Sequence, residues 1–215
     1  MNSLFPECES TVKTVLLLAS LPTLSTPQFL VPAIHAATTD AKDRLVIVLF
    51  SRAFAQRGTR WDDVQRLLAF VYGHASKVAQ DMDKILLDVD VLLRGMGQEL
   101  PNIGDGVEMV FRIQGGELTS ILLVVALTTQ LDSLAAGLPM SLATVRQRYI
   151  AKNHDIPEDT ESGDDQPELY PVVALGGTFD HLHCGHKILL SMALWITADK
   201  LIVGITGAFT QLFIS

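Results

Sequence analysis

The N-terminal half of the chain alternates between short continuous apolar runs and segments whose apolar residues recur every third or fourth position. Continuous runs are typical of strands buried on both faces, and the wider spacing is typical of helices that pack on them. Strands are predicted at Thr14–Ala19, Arg44–Phe50 and Lys84–Leu93. Helices are predicted between them, over Gln28–Thr39 and from Arg60 to about Lys77.

This alternation of strand and helix predicts an α/β fold in which a parallel sheet carries helices. Thr59 is the predicted N-cap of the second helix, whose apolar face is formed by Val64, Leu67, Leu68, Val71 and Val78. Beyond residue 95 the pattern weakens. A strand is predicted at Val107–Ile113, a strand or a buried helix at Ile121–Leu127, and a helix at Ser141–Lys152.

The acidic side chains divide the chain into two domains. Residues 153–170 contain seven Asp and Glu residues, no Lys or Arg, and two prolines, and they lack apolar periodicity. We interpret this segment as a linker between an α/β domain at residues 1–152 and a second domain at 171–215. The net charge of the chain is −8, so the remainder is nearly neutral.

The composition excludes several classes of protein. A hydrophobic fraction of 48% and a charged fraction of 19% are typical of a globular protein with a core rather than of a disordered one. The acidic balance argues against a nucleic-acid partner. Two cysteines, Cys8 and Cys184, are too few for a disulfide framework and favour a reducing, cytoplasmic location.

No membrane partner is expected. The apolar run Val15–Leu21 could be a buried strand or a signal peptide. It is preceded by Lys13 and by two acids, which is a poor basic n-region, so the buried strand is favoured. Ile121–Leu127 is too short to span a bilayer, which requires about 20 residues.

The strongest candidate for chemistry lies near the C-terminus. An apolar run at 172–175 ends at Gly176-Gly177, and a polar turn then leads to an apolar segment of helical length. A strand at 172–176, a helix at 186–198 and a strand at 201–206 are predicted to form one βαβ unit. Glycines allow a ligand to approach the backbone, and a helix N-terminus attracts anions. His183 and His186 can therefore face one phosphate.

The string Gly176-Gly-Thr-Phe-Asp-His-Leu-His-Cys-Gly-His-Lys187 resembles the signature of nucleotidyltransferases with a His-x-Gly-His motif. It is most similar to the eukaryotic and archaeal phosphopantetheine adenylyltransferases, over about residues 171–206. The resemblance implies a Rossmann-like, cytidylyltransferase-like domain that transfers AMP from ATP to 4′-phosphopantetheine. The products would be dephospho-CoA and pyrophosphate, in coenzyme A synthesis.

The resemblance also implies which residues act. His183 and His186 are the expected catalytic residues, and His186 is expected to be the main donor to the α-phosphate. Gly176, Gly177, Thr178 and Phe179 are expected to bind nucleotide or phosphate. ATP and 4′-phosphopantetheine are the expected substrates, with Mg²⁺ bound to the triphosphate. Association with other enzymes of coenzyme A synthesis is a further expectation. Fungal members of the family carry a divergent N-terminal domain of about this size, and its role does not follow from these residues.

Three alternatives stay open. A cytidylyltransferase of the same fold is disfavoured by Gly177-Thr178 and by His181, and a non-catalytic interaction protein would leave the motif inert. A zinc site built from His181, His183, Cys184 and His186 fits no known ligand spacing, so no metal ligand is predicted.

The sequence departs from the family pattern after residue 206. Residues 207–215 resemble unrelated sequence, and the later strands and basic residues of the family are not found. We therefore expect an incomplete nucleotidyltransferase domain, from a truncated or mis-spliced form, that shows no measurable adenylyl transfer by itself.

Overall fold

The apolar runs of the N-terminal half form the centre of a parallel sheet. The computed structural model describes residues 11–96, 98, 103, 106–114, 146–151, 169–206 and 211–214. Strand β1 is Val12–Ser20 and β2 is Ala41–Ser51. Residues 15–19 of β1 and 45–50 of β2 are at most 1% exposed, because both faces of these strands are covered. The buried-strand interpretation of residues 15–21 is thereby confirmed for Val15–Ser20.

Three further parallel strands complete this sheet: β3 at Asp88–Gly95, β4 at Met109–Gln114 and β5 at Arg146–Ala151. The strand order is β3-β2-β1-β4-β5. Leu17 lies opposite Ile47 of β2 on one side and opposite Phe111 of β4 on the other. This is the order of doubly wound, Rossmann-like sheets, so the predicted α/β class is confirmed.

Two helices cover one face of the sheet. Helix α1 spans Val31–Asp40 after a short 3₁₀ turn, with Pro32 in its first turn, where proline is tolerated. Helix α2 spans Trp61–Asp81. Lys84 follows α2 and its Nζ donates to the carbonyl oxygens of Thr38 and Ala41, which places a positive charge at the C-terminus of α1.

The second sheet contains the predicted βαβ unit. Strand β6 is Tyr170–Gly177, helix α3 is Cys184–Ile196 and strand β7 is Thr197–Thr206. Strands β6 and β7 are parallel, with Val173 opposite Leu201. A further strand, β8 at Gln211–Ile214, pairs antiparallel with β7. The interpretation of residues 207–215 as unrelated sequence does not anticipate β8.

Helix α3 also packs against the N-terminal half of the chain. Met192 and Trp195 are 3% and 6% exposed and belong to the same apolar cluster as α1, α2 and the inner face of the first sheet. A second apolar cluster, which includes Leu16, Val48 and Phe50, covers the other face of that sheet. Helix α3 is thus part of the main core of the molecule.

Three local predictions are wrong. The helix predicted at Ser141–Lys152 is replaced over residues 146–151 by β5, because parallel pairing with β4 outweighs the helix propensity of Arg and Gln. The third strand begins at Asp88 rather than at Lys84, and Ile85 and Leu86 are exposed in the preceding turn. Thr59 is not an N-cap. That position is held by Arg60 in a left-handed conformation, while the Thr59 hydroxyl donates to the Gln56 carbonyl.

Some predictions cannot be compared with the structure. The segment Ile121–Leu127 and the linker at 153–170, except its last two positions, lie outside the described residues. The domain limits therefore stay predictions. None of the helices in the part of the chain that the structure describes is long and apolar enough to cross a membrane.

Candidate functional site

The predicted site residues lie in the turn that joins β6 to α3 and at the adjoining ends of these two elements. Gly176 and Gly177 are the last residues of β6, and the turn runs from Thr178 to His183. The turn therefore lies at the carboxyl end of a parallel strand, which is where α/β proteins place their ligands. His183 and Thr178 are exposed, and His186 and Phe179 are half-buried.

His183 caps the N-terminus of α3. Its backbone is extended, with φ −86° and ψ 171°, and its Nδ1 accepts a hydrogen bond of 3.1 Å from the backbone N–H of Gly185. The first backbone bond of the helix runs from Lys187 N to the His183 carbonyl. An accepting Nδ1 assigns the proton of a neutral His183 to Nε2, which then serves as the donor.

His186 lies against His183 and is bonded differently. The two rings are stacked, with centroids 3.9 Å apart and an angle of 25° between their planes. His186 Nδ1 lies 3.0 Å from the carbonyl oxygen of His181. A carbonyl oxygen can only accept, so Nδ1 must carry a proton, and Nε2 of His186 becomes a donor only when the ring is an imidazolium.

Glycine is required most clearly at Gly185. A Cβ at this position would lie 3.0 Å from Cε1 and 3.1 Å from Nδ1 of His183, which is tighter than most packed contacts, so the ring would have to shift by a few tenths of an ångström. The missing side chain lets the imidazole reach the helix N-terminus. At Gly177 a Cβ would meet the Phe179 ring at 3.4 Å, and at Gly176 the nearest atom is 3.8 Å away. Gly185 lies within the motif but is not among the predicted site residues.

Phe179 supports the histidine pair. Its ring centroid is 4.8 Å from that of His186, and the ring is half-buried. This contact favours packing of Phe179 beneath the turn over stacking of its ring on a base. Thr178 is exposed beside it.

Lys187, the last residue of the motif, faces away from the turn and contacts β3. Its Nζ donates to Asp88 Oδ1, to Asp90 Oδ1 at 2.7 Å and to the Val89 carbonyl at 2.8 Å. Burial favours the neutral form of Asp90, but the hydrogen bonds and charges of Lys187 and Arg44 outweigh it and hold the pKa of this carboxyl below its ordinary value. These contacts join residues about 98 positions apart, and no pattern in the sequence indicates them.

Among the described residues, the other histidines and cysteines form no second cluster of catalytic or metal-binding side chains. His74 packs on Phe70, with ring centroids 4.3 Å apart, as expected for a structural histidine. Cys184 is a free, exposed cysteine in the first turn of α3. Within the described ranges, no group of three or more His, Cys, Asp or Glu side chains is arranged to hold a metal ion.

Comparison with known proteins gives two local matches. Over 58 residues the chain is 50% identical to a phosphopantetheine adenylyltransferase of Saccharomyces cerevisiae, which covers 27% of this chain and 19% of that protein. Over 53 residues it is 47% identical to an uncharacterized protein of Schizosaccharomyces pombe, covering 24% and 17%.

The matches span about a fifth of the length of these curated relatives. No family model matches the chain, and no solved structure matches it. Over about a quarter of its length, the chain is therefore similar to a nucleotidyltransferase.

Proposed function

We propose that the turn between β6 and α3 binds the phosphates of ATP, and that within a full nucleotidyltransferase domain it serves the transfer of AMP from ATP to 4′-phosphopantetheine. The observation that carries this proposal is the stacked pair of His183 and His186 at the N-terminus of α3. The named relative from S. cerevisiae supports the choice of reaction.

The reaction requires positioning and charge stabilisation from the protein but no strong base. An oxygen of the 4′-phosphate attacks the α-phosphorus of ATP, the bond from that phosphorus to the β-phosphate oxygen breaks, and pyrophosphate leaves with the electron pair. The attacking group is already an anion, so no strong base is needed. The protein must position the two phosphates and stabilise the charge that grows on the α-phosphate.

Each histidine of the pair can donate a hydrogen bond from Nε2 to a phosphate oxygen. Nε2 of neutral His183 can donate to a phosphate oxygen, since its Nδ1 is engaged by Gly185. His186 can donate from Nε2 once both ring nitrogens are protonated, since its Nδ1 is engaged by His181. The partial positive charge at the helix N-terminus, about half an elementary charge, acts on the same anion. In this proposal His183 donates in its neutral form and His186 as a cation.

Mg²⁺ enters as part of the substrate, bound to ATP. It neutralises charge on the triphosphate when it accompanies ATP. The proposal assigns no step to a protein-bound metal ion.

A chimaera tests the reaction, because the chain spans about a fifth of the length of its relatives. The matching 58 residues of this chain replace their counterpart in the S. cerevisiae enzyme. ATP and CTP are assayed side by side, with 4′-phosphopantetheine and with choline phosphate. We expect pyrophosphate release with ATP and 4′-phosphopantetheine, and a kcat lower by about 10²–10³ in the His186→Ala chimaera.

Two results would contradict the proposal. Preference for CTP would favour a cytidylyltransferase. A kcat of His186→Ala within a few-fold of the parent chimaera would make His186 a structural residue.

A further inference from the structure

The contact of Lys187 with β3 is a partly buried ion-pair cluster. The Lys187 side chain is only 13% exposed and donates to two carboxylates and one backbone carbonyl. Asp90 uses its other oxygen, Oδ2, to accept two bonds from Arg44 of β2, at 2.8 Å and 3.1 Å. One carboxylate thus joins cations from β2 and from α3, and this links the helix to the sheet.

The cluster also covers an open edge. Strand β3 is the outermost strand of the first sheet on its side, so alternate backbone groups of β3 face away from β2. The Val89 carbonyl accepts from Lys187, and the Val91 N–H donates to the Tyr72 hydroxyl of α2 at 3.0 Å. Lys187 therefore satisfies an edge carbonyl that would otherwise need water or another strand.

Helix α3 has a second anchor. The indole N–H of Trp195 donates to the Thr59 carbonyl at 2.9 Å, and the ring packs edge-on against Phe54 with centroids 6.1 Å apart. Trp195 lies eight residues after Lys187, which is about 12 Å along a helix. Two anchors at this spacing fix both the position and the direction of α3.

The first anchor lies next to the histidine pair. Lys187 directly follows His186, and its backbone N–H makes the first helical bond, 3.2 Å long, to the His183 carbonyl. Any shift of Lys187 therefore moves the turn that carries both imidazoles, because neighbouring helical residues move together.

We propose that the cluster of Lys187, Asp88 and Asp90 holds the first turn of α3 in place, so that the N-terminal sheet positions the nucleotide site of the second unit. This proposal rests on the proposed function for the identity of the ligand, and on the contacts alone for the coupling. Lys187 and the two acids are positioning residues, and they do not touch the nucleotide.

The test compares three lysine variants of the 215-residue chain. Lys187→Met removes the charge but leaves the pair between Arg44 and Asp90 intact, and Lys187→Arg keeps the charge. Lys200→Met is the matched control, since Lys200 is an exposed lysine of β7 in the same unit. Amide hydrogen exchange in residues 184–187 and the dissociation constant for ATP are measured for each variant.

We expect Lys187→Met to speed exchange at residues 184–187 and to weaken ATP binding, each by about tenfold, as for the loss of one hydrogen bond to a charged group. Lys187→Arg should stay within a few-fold of the parent, and Lys200→Met should match it. If Lys187→Met does not fold, Asp88→Asn removes one partner whose side chain is 54% exposed and is measured instead.

The outcomes separate the two proposals. Unchanged exchange at residues 184–187 in Lys187→Met would overturn the positioning role. So would faster exchange spread evenly over the chain, because that result indicates general stability. A parent chain that binds no ATP would contradict the proposed function, while the exchange measurements would still decide whether the sheet positions the turn.

Discussion

At the scale of the residue, the two imidazoles of the site differ in the hydrogen bonds that they make. His183 and His186 are three positions apart, yet one accepts at Nδ1 and the other donates there. Their spacing in the sequence indicated a shared phosphate but not this difference, because the difference depends on which backbone atoms the turn brings near each ring. The same turn explains why glycine stands at position 185.

Gly185→Ala tests this explanation. The added Cβ would lie 3.0 Å from the His183 ring, so the ring has to shift and its hydrogen bond at the helix N-terminus should weaken. We expect a loss of about 1 kcal/mol of unfolding free energy, as for other lost N-caps. Gly204→Ala is the control, since a Cβ there would meet its nearest atom at 3.8 Å. Urea unfolding measures both variants. Equal stability of Gly185→Ala and the parent would show that the ring can move aside without cost.

At the scale of the element, the sequence predicted most strands and helices of the described part but not how α3 packs. The runs in β1 and β2 are apolar on both faces, and no other structure satisfies them as well as a central parallel strand. β5 was missed because Arg146, Gln147 and Arg148 suit a helix, and only pairing with β4 makes them a strand. Lys84 is predicted in the third strand because apolar residues follow it. In the structure its Nζ instead donates to backbone carbonyl oxygens at the C-terminus of α1.

The packing of α3 against the N-terminal half could not be predicted, since it depends on contacts such as the one between Trp195 and Thr59, which are 136 positions apart. Trp195→Ala should lower the unfolding free energy by about 3–5 kcal/mol, the usual cost of removing a buried large aromatic side chain. Trp195→Phe should cost less, because it loses mainly the bond to the Thr59 carbonyl, worth about 1 kcal/mol. Chemical denaturation followed by circular dichroism compares the two variants. A loss below 1 kcal/mol for Trp195→Ala would mean that α3 does not share the main core.

At the scale of the whole molecule, the charge on Asp90 connects the first sheet to helix α3, through Arg44 of β2 and Lys187 of α3. Asp88 on the same strand is the nearest other acid to Lys187, and Tyr72 of α2 lies beside the strand edge. Burial raises the pKa of Tyr72 to about 12, so this phenol stays neutral in the acidic range. Acid should therefore weaken the link through Asp90, whose pKa is lowered by its two cations.

The sign of the pH effect follows from the lowered pKa of Asp90. The folded chain holds this carboxyl ionised to a lower pH than the unfolded chain does. Its contribution to stability is therefore complete above the unfolded pKa of about 4 and is lost as the pH falls through the folded pKa. Urea unfolding at a series of pH values should show a steeper acid loss in the parent than in Asp90→Asn. Parallel curves would mean that Asp90 gains nothing from its two cations.

The central claim is that the turn between β6 and α3 binds phosphate through His183 and His186. The most direct measurement is an NMR titration of the 215-residue chain with ATP, which follows the imidazole resonances of these two residues, with adenosine as the control that lacks phosphate. We predict that ATP shifts both resonances and that adenosine shifts neither, while His35 and His74 stay unchanged. Equal effects of ATP and adenosine, or no shift of His183 and His186 at saturating ATP, would contradict the account.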